Sequence, residues 1–491
     1  MSPEQFKKYQ KQKFSHIPVT RRLLADLETP LSVYAKLANC AGSYLLESVE
    51  NVENWGRYSI IGLACSESIQ VRGTEVKLTD SQGESCKQVD DPLHYVRQYL
   101  AQFSVPDLPE LPRYSGGLVG YFGYDIARYV EPRLAHPDLQ DDLELPDIYL
   151  LRSDELAIFD NFSGTIDLVV HVKATEANAW EQAQARLDEL EQQLQTRSDG
   201  LAPMHFHSIH LDESIIQSGM GQESYMEAVE RIRQYALDGD IMQVVLGHRM
   251  QIPFDTEPLQ LYRALRTVNP SPYMYYLDFG DFQVAGASPE ILARLHGDQV
   301  TVRPIAGTRR RGHTADEDLA LEQDMRDDPK EVAEHLMLID LGRNDCGRVA
   351  RTGTVRVTEQ MVVERFSHVM HMTSNVVGTI EEGNDAIDVL KAIHPAGTLS
   401  GAPKIRAMEI IDELEPTKRG LYGGAVGYIG WGGDMDTAIA IRTALVKDNT
   451  MYFQAGAGIV ADSVPRLEWK ETMNKARALM RAASLALGEK S

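Results

Sequence analysis

The chain has 491 residues, with 49 Lys plus Arg against 72 Asp plus Glu and a formal net charge of −23. That length exceeds the size at which one hydrophobic core stops growing and predicts two domains or one elaborate layered unit, while 43% hydrophobic and 25% charged residues exclude a disordered or fibrous class. So acidic a surface repels phosphate backbones and argues against nucleic acid as a partner; an anionic small substrate must be caught by local Arg, metal or backbone N–H groups.

The N-terminal run MSPEQFKKYQKQKF has no apolar core, so no secretory signal is expected. No apolar run approaches the roughly 20 residues of a membrane helix, so no membrane span is expected. Cys40, Cys65, Cys86 and Cys346 show no C-x-x-C spacing, which predicts neither a zinc site nor a disulfide framework. A reduced, cytoplasmic setting fits.

Up to about Lys173 the pattern is of mixed strands, with Glu155–Asp160 and Thr165–Val172 facing each other across a turn at Asn161–Gly164. The runs GGLVGYFG at 116–123 and GGAVGYIG at 423–430 resemble each other, which favours two glycine-kinked strands of similar packing over duplicated domains. Trp180, Leu187, Leu190 and Leu194 then recur at helical spacing, until the polar Ser198–Gly200 breaks the pattern. The next helix spans 222–238, with Tyr225, Val229, Ile232 and Ala236 on one face and Gly239 as its stop. A strand over Ile241–Leu246 follows, and Trp431–Asp434 reads as a hairpin turn. The organisation expected is an N-terminal domain over residues 1–174, a helical linker over 175–221 and a catalytic domain over 222–491.

Four features carry chemical content. Glu331 and Glu334 share a face of one helix, as do Glu468 and Glu471, with Lys475 a turn beyond. Both pairs read as solvated faces or, since each lies beside an apolar stripe, as hard-oxygen ligands of the kind Mg²⁺ takes. In GTLSGAPKIRAMEIIDELE, 397–415, Pro403 is placed as a first helical residue, and Thr398, Ser400 and Gly401 are expected to leave N–H groups free for an anion. A plain capped helix fits equally. Gln454–Gly458 (QAGAG) reads as a tight turn allowing close approach to a carboxylate. His371 is a candidate base or an ordinary satisfied histidine.

Read together, GDIMQVVL (239–246), SPEIL (288–292), RPIAGTRRRG (303–312), EHLMLIDLGRND (334–345), GTLSGAPK (397–404), YGGAVGY (422–428), QAGAG (454–458) and ETMNKA (471–476) resemble the chorismate-utilising enzymes. Within them the chain is similar to the anthranilate synthase component I branch. The resemblance implies an α/β (α+β) fold of two packed, mainly antiparallel β-sheets with helices outside. It implies Mg²⁺ as cofactor, with Glu334 and Glu471 as ligands and Glu468 beside them. Substrate-binding positions carried over are Gly307, Thr308, Tyr422, Arg442, Gly456, Ala457, Gly458 and Lys475. Catalytic positions are His371 for pyruvate elimination, Glu331 as the acid for hydroxyl departure, and Thr398. Ser48, Pro272, Tyr273 and Met274 resemble the branch's site for L-tryptophan as feedback inhibitor.

Two positions bear on the reaction. The isochorismate-forming members carry a water-activating Lys where this chain has Gln243, and the aminodeoxychorismate synthases carry a nucleophilic Lys where it has Ala306. With neither lysine, external ammonia is left as the nucleophile. No cysteine has the surroundings of an amidotransferase nucleophile, so ammonia is expected from a separate glutamine amidotransferase subunit in a hetero-oligomer. The product that the resemblance implies is anthranilate with pyruvate, through 2-amino-2-deoxyisochorismate. The alternatives are an enzyme that stops at that intermediate and a non-catalytic amino-acid-binding subunit. The sequence departs from the branch at Gly247-His248-Arg249, where Ser-Arg-Arg is usual, and at Trp469-Lys470.

Overall fold

The computed structural model describes residues 1–48, 56–134, 139–196, 213–366 and 369–488, with 201, 204 and 211. The expected break at Ser198–Gly200 and His368 lie outside them. The elements follow local pattern closely. The β-branched run Thr165–Lys173 folds back on Glu155–Asp160 with Thr165 opposite Asp160, and Gly164 closes the turn at φ 63°. Helix Ala179–Gln195 buries Ala183, Leu187, Leu190 and Leu194, each large side chain contributing roughly 1.5–3 kcal/mol. Helix Gln222–Leu237 buries Tyr225, Val229 and Ile232, and Gly239 beyond it has φ 83°.

Among the described residues the strands form two twelve-stranded sheets whose neighbouring strands run antiparallel. Both sheets draw on residues 1–174 and 222–491. In the first, Ser43–Glu47 pairs with Tyr273–Asp278; in the second, Gly117–Phe122 pairs with Ala425–Gly430. The facing surfaces pack through a core that includes Tyr44, Tyr121, Tyr275, Leu277, Val426 and Leu445. Helices cover the outer faces: Pro30–Leu37, Ala179–Gln195, Pro258–Val268 and Pro465–Leu487 over the first sheet, and Pro92–Leu100, Ala386–Ile393 and Pro329–Gly347 against the second. The expected class, two antiparallel sheets with helices outside, is the one observed. No helix among the described residues is long and apolar enough to cross a membrane.

The two similar glycine-rich runs lie side by side, with Gly120 opposite Gly427. A Cβ on Gly120 would stand 1.9 Å from Tyr149 O, and one on Gly427 2.1 Å from Asp436 O. The likeness thus reflects two strands drawn against their neighbours where only hydrogen fits. Trp431–Asp434 forms the turn to Met435–Ile439 as expected. Replacing Gly427 with Ala should force the ladder apart and destabilise the protein by about 2–4 kcal/mol; a melting temperature equal to wild type in scanning calorimetry would contradict this account.

Candidate active site

The site is organised by strand Gln243–Pro253, paired with Thr450–Ile459 so that Val245 faces Gly458 and Gly247 faces Gly456. Gly456, Ala457 and Gly458 therefore lie inside a strand and not in the turn expected. Their small size has a packing reason: a Cβ on Gly458 would stand 2.5 Å from Gln243 Nε2, and one on Gly456 3.0 Å from the Tyr422 hydroxyl and 2.9 Å from Leu246 O. Strand Thr443–Lys447 covers the other edge of Thr450–Ile459 only as far as Phe453. Beyond that point no named strand among the described residues pairs with that edge, and Arg442 stands just before the strand that leaves it.

Arg442 is the most telling residue. Its φ is 51°, a left-handed conformation that costs a non-glycine residue about 1–3 kcal/mol. Burial pulls its pKa below the ordinary arginine value, opposed by the Glu290 carboxylate. Yet its guanidinium makes no hydrogen bond or salt bridge among the described residues, as a waiting anion site should. Tyr422 is buried, and its hydroxyl makes no hydrogen bond among the described residues either. Lys475 Nζ donates to Gly456 O at 2.8 Å and pairs with Glu471 at 2.8 Å.

Glu290 was not singled out from the sequence, although it sits in the SPEIL run. Burial pushes its carboxyl above the usual range, while Thr398 Oγ1 donates to Glu290 Oε2 at 3.0 Å and Arg442 and Lys475 act from nearby. The contact that Thr398 makes here is thus with Glu290. Arg419 and Glu415 were also missed. Arg419 donates to Glu415, to Leu399 O at 2.6 Å and to Val245 O at 2.7 Å, and Glu415 Oε1 accepts from Gly247 N at 2.8 Å. This buried pair ties Gln243–Pro253 to the segments carrying Thr398 and Tyr422. Its signal in the sequence was two opposite charges one helical turn apart, which resembles any exposed pair.

His371 lies on strand Val369–Thr379 against Ile305–Arg310, whose pairing shifts between Ala306 and Thr308. Gly307 is the bulged residue, at φ 71°. The bulge brings Gly307 O to 3.0 Å and Thr308 Oγ1 to 3.1 Å from His371 Nδ1. A carbonyl only accepts, so Nδ1 carries the proton and Nε2 is left as a base. Burial lowers the His371 pKa from 6.5. Glu331 Oε1, by contrast, accepts from Arg309 at 2.9 Å, which ties that oxygen to a structural ion pair.

Glu331 and Glu334 share helix Pro329–Gly347, and Glu468, Glu471 and Lys475 share Pro465–Leu487. Gln243 Nε2 donates to Glu334 Oε1 at 3.1 Å. Burial, reinforced by neighbouring Glu471, pushes the Glu468 carboxyl up. Among the described residues no three His, Cys, Asp or Glu groups converge closely enough to hold a metal ion. The carboxylates are nonetheless hard oxygen donors from two helices, and burial with the neighbouring Glu471 charge disfavours a bare Glu468 carboxylate, a cost that a bound cation would relieve. The donor set therefore fits a Mg²⁺ that keeps waters and substrate oxygens in its shell.

The helix after GTLSGAP starts at Lys404, one residue later than expected. Pro403 is its extended cap residue at ψ 137°, because Gly401–Ala402 pairs with Gln243 and Val244 and carries the chain straight to the proline. Nor is Ser400 N–H free, since it donates to Gly397 O. Lys404 meets Asp345 at 2.8 Å, so no anion site forms there by itself. The unfamiliar His248 and Trp469 explain each other: their rings stack at 4.7 Å, and His248 also bonds Ser218 and Thr472. Between the sheets, Ser48, Pro272, Tyr273 and Met274 all line one cavity of about 480 Å³.

Residues 46–481 match the chorismate binding enzyme family. The chain is 54% identical over 488 residues to anthranilate synthase component 1 of Pseudomonas aeruginosa, covering 99% of each chain. It is 46% identical to that of Aquifex aeolicus over 96% of each. Anthranilate synthase component I of Streptococcus pneumoniae superposes with a TM-score of 0.78 at 35% identity, over 94% of this chain and 99% of that one. The menaquinone-specific isochorismate synthase of Escherichia coli, at 19% identity, shares the fold with a TM-score of 0.70, over 98% of each chain. A family match over residues 46–481, joined to near full-length identity with such relatives, places this chain in the chorismate binding enzyme family.

Proposed function

We infer that the chain is the chorismate-converting component of an anthranilate synthase, taking chorismate and ammonia to anthranilate and pyruvate. The observation that carries the reading is Arg442, a half-buried guanidinium without a hydrogen bond or salt bridge among the described residues, within the electrostatic influence of Glu290. The lysines that would select water or the enzyme itself as nucleophile are replaced by Gln243, which is bonded to Glu334, and by Ala306.

In this reading Arg442 forks onto the side-chain carboxylate of chorismate, helped by Tyr422 and by backbone on the open edge at Gly456–Gly458. Glu334, Glu468 and Glu471 would hold Mg²⁺, which supplies positive charge against the ring carboxylate. Ammonia forms the new C–N bond as the ring hydroxyl leaves as water, taking the proton of Glu290. We assign this acid role to Glu290 in place of Glu331, because burial favours its protonated form whereas Glu331 is committed to Arg309. Thr398 orients it. His371 Nε2 then takes the ring proton as pyruvate departs and the ring becomes aromatic, with Gly307 and Thr308 fixing the imidazole. Lys475 holds strand and helix together through Gly456 O and Glu471. We further propose that ammonia comes from a separate glutamine amidotransferase subunit, that the protein works in the cytoplasm, and that L-tryptophan inhibits by occupying the cavity lined by Ser48, Pro272, Tyr273 and Met274.

Purified chain mixed with chorismate, Mg²⁺ and ammonium at alkaline pH should yield anthranilate fluorescence and an equal amount of pyruvate. Chorismate loss without pyruvate would move the assignment to an enzyme that stops at 2-amino-2-deoxyisochorismate, and no loss would sink the catalytic reading. Arg442→Gln should raise KM for chorismate roughly 100-fold with a smaller change in kcat, since charged hydrogen bonds contribute about 1.5–3 kcal/mol each; an unchanged KM would remove Arg442 from the clamp. Glu290→Gln should lower kcat about a hundred- to ten-thousand-fold, and Glu331→Gln far less. His371 must be neutral to act and burial lowers its pKa, so with free ammonia held constant the acidic limb of kcat should lie below pH 6.5; an acidic limb at or above 6.5 would exclude it as the base.

A further inference from the structure

Tyr275 lines the cavity between the sheets, yet its hydroxyl reaches Thr443 Oγ1 at 2.5 Å. It does so by lying across strand Gln283–Ser288 over Gly286, where an added Cβ would stand 2.1 Å from the ring. The register sets Gly286 opposite both Tyr275 and Thr443, so the ring spans three adjacent strands. The Thr443 hydroxyl donates to Ile441 O at 2.8 Å, which leaves it to accept from Tyr275. These bonds straddle Arg442, held at φ 51°, whose own carbonyl accepts from Ala287 N at 3.1 Å. A left-handed arginine persists only where its surroundings over-determine it.

We propose that Tyr275 and Thr443 are positioning residues for Arg442, and that a ligand in the cavity weakens chorismate binding by disturbing this bridge. The inference rests on the reading of Arg442 as the carboxylate clamp and of the cavity as an amino-acid effector site. Occupancy of the cavity bears on Met274 and Tyr275, and any movement of the Tyr275 ring pulls on Thr443 and turns the guanidinium away. The two sites are coupled through one hydroxyl pair, as an effector mechanism requires a contact that differs between liganded states.

The test uses the full chain with Tyr275→Phe, Thr443→Val and Thr443→Ser. Tyr275→Phe and Thr443→Val should each raise KM for chorismate about five- to tenfold, the loss of one hydrogen bond, with kcat within about twofold; Thr443→Ser should restore the wild-type value. Tryptophan should still bind the first two variants, as measured by calorimetry without chorismate, but at least about fivefold more should be needed for half-inhibition. Unchanged KM and unchanged inhibition in both variants would overturn the bridge. If wild-type protein binds no tryptophan, the effector reading and the coupling fall, while the KM values still decide whether Tyr275 and Thr443 position Arg442.

Discussion

The close pairing of Gln243–Pro253 with Thr450–Ile459 is the constraint on which the site depends. It brings two backbones together at Gly247 and Gly456, where a side chain would strike Leu246 O or Tyr422. That approach seats Gln243 over Gly458, sets Lys475 on Gly456 O and leaves the far edge of the strand open beside Arg442. The buried Arg419–Glu415 pair locks the arrangement from behind, with the guanidinium satisfied by two carbonyls as well as the carboxylate. Breaking one partner of such a pair strands a charge in a low dielectric, which is far costlier than replacing both.

Charge explains much of the remaining design. A strongly acidic protein must bind a dianion locally, and in the proposed reading it does so through the half-buried Arg442, left without a hydrogen bond or salt bridge among the described residues while so many other arginines are paired. Arg309 alone meets Asp324, Asp328 and Glu331. Against that background Arg442, with no salt bridge among the described residues and only the electrostatic influence of Glu290, is conspicuous. Glu290 has the complementary peculiarity, a carboxyl whose burial favours the proton and whose only hydrogen-bond donor among the described residues is Thr398.

What could be read from the sequence follows the range of the interactions involved. Amphipathic helices such as Gln222–Leu237 and the hairpin at Asn161–Gly164 depend on neighbours in the chain, and their periodicity was enough. Tyr422 stands in a motif run, whereas Arg442 and His371 lie outside the runs and were carried over as single positions, because a family resemblance carries positions without geometry. Contacts distant in sequence were hidden. Nothing in QAGAG distinguishes a turn from a strand whose glycines make room for Gln243 and Tyr422. Pro403 looked like a first helical residue because the pairing of Gly401–Ala402 with Gln243–Val244 is not written locally. Glu290 went unnoticed because burial, and not spacing, gives it chemical character. His248 and Trp469, read separately as departures, are one stacked contact.

The interleaving of the two sheets bears on how the chain reaches this state during synthesis. Gly117–Phe122 has Ala425–Gly430 as a neighbour, and Ser43–Glu47 has Tyr273–Asp278. A nascent N-terminal segment therefore emerges from the ribosome with open, apolar strand edges whose partners have not yet been made. Contacts of such sequence separation fold slowly, and exposed edges invite aggregation in the interval. The polypeptide closes its sheets only when the segment carrying Tyr422, Arg442 and the glycine strand arrives, so completion of the fold and assembly of the candidate site are a single late event.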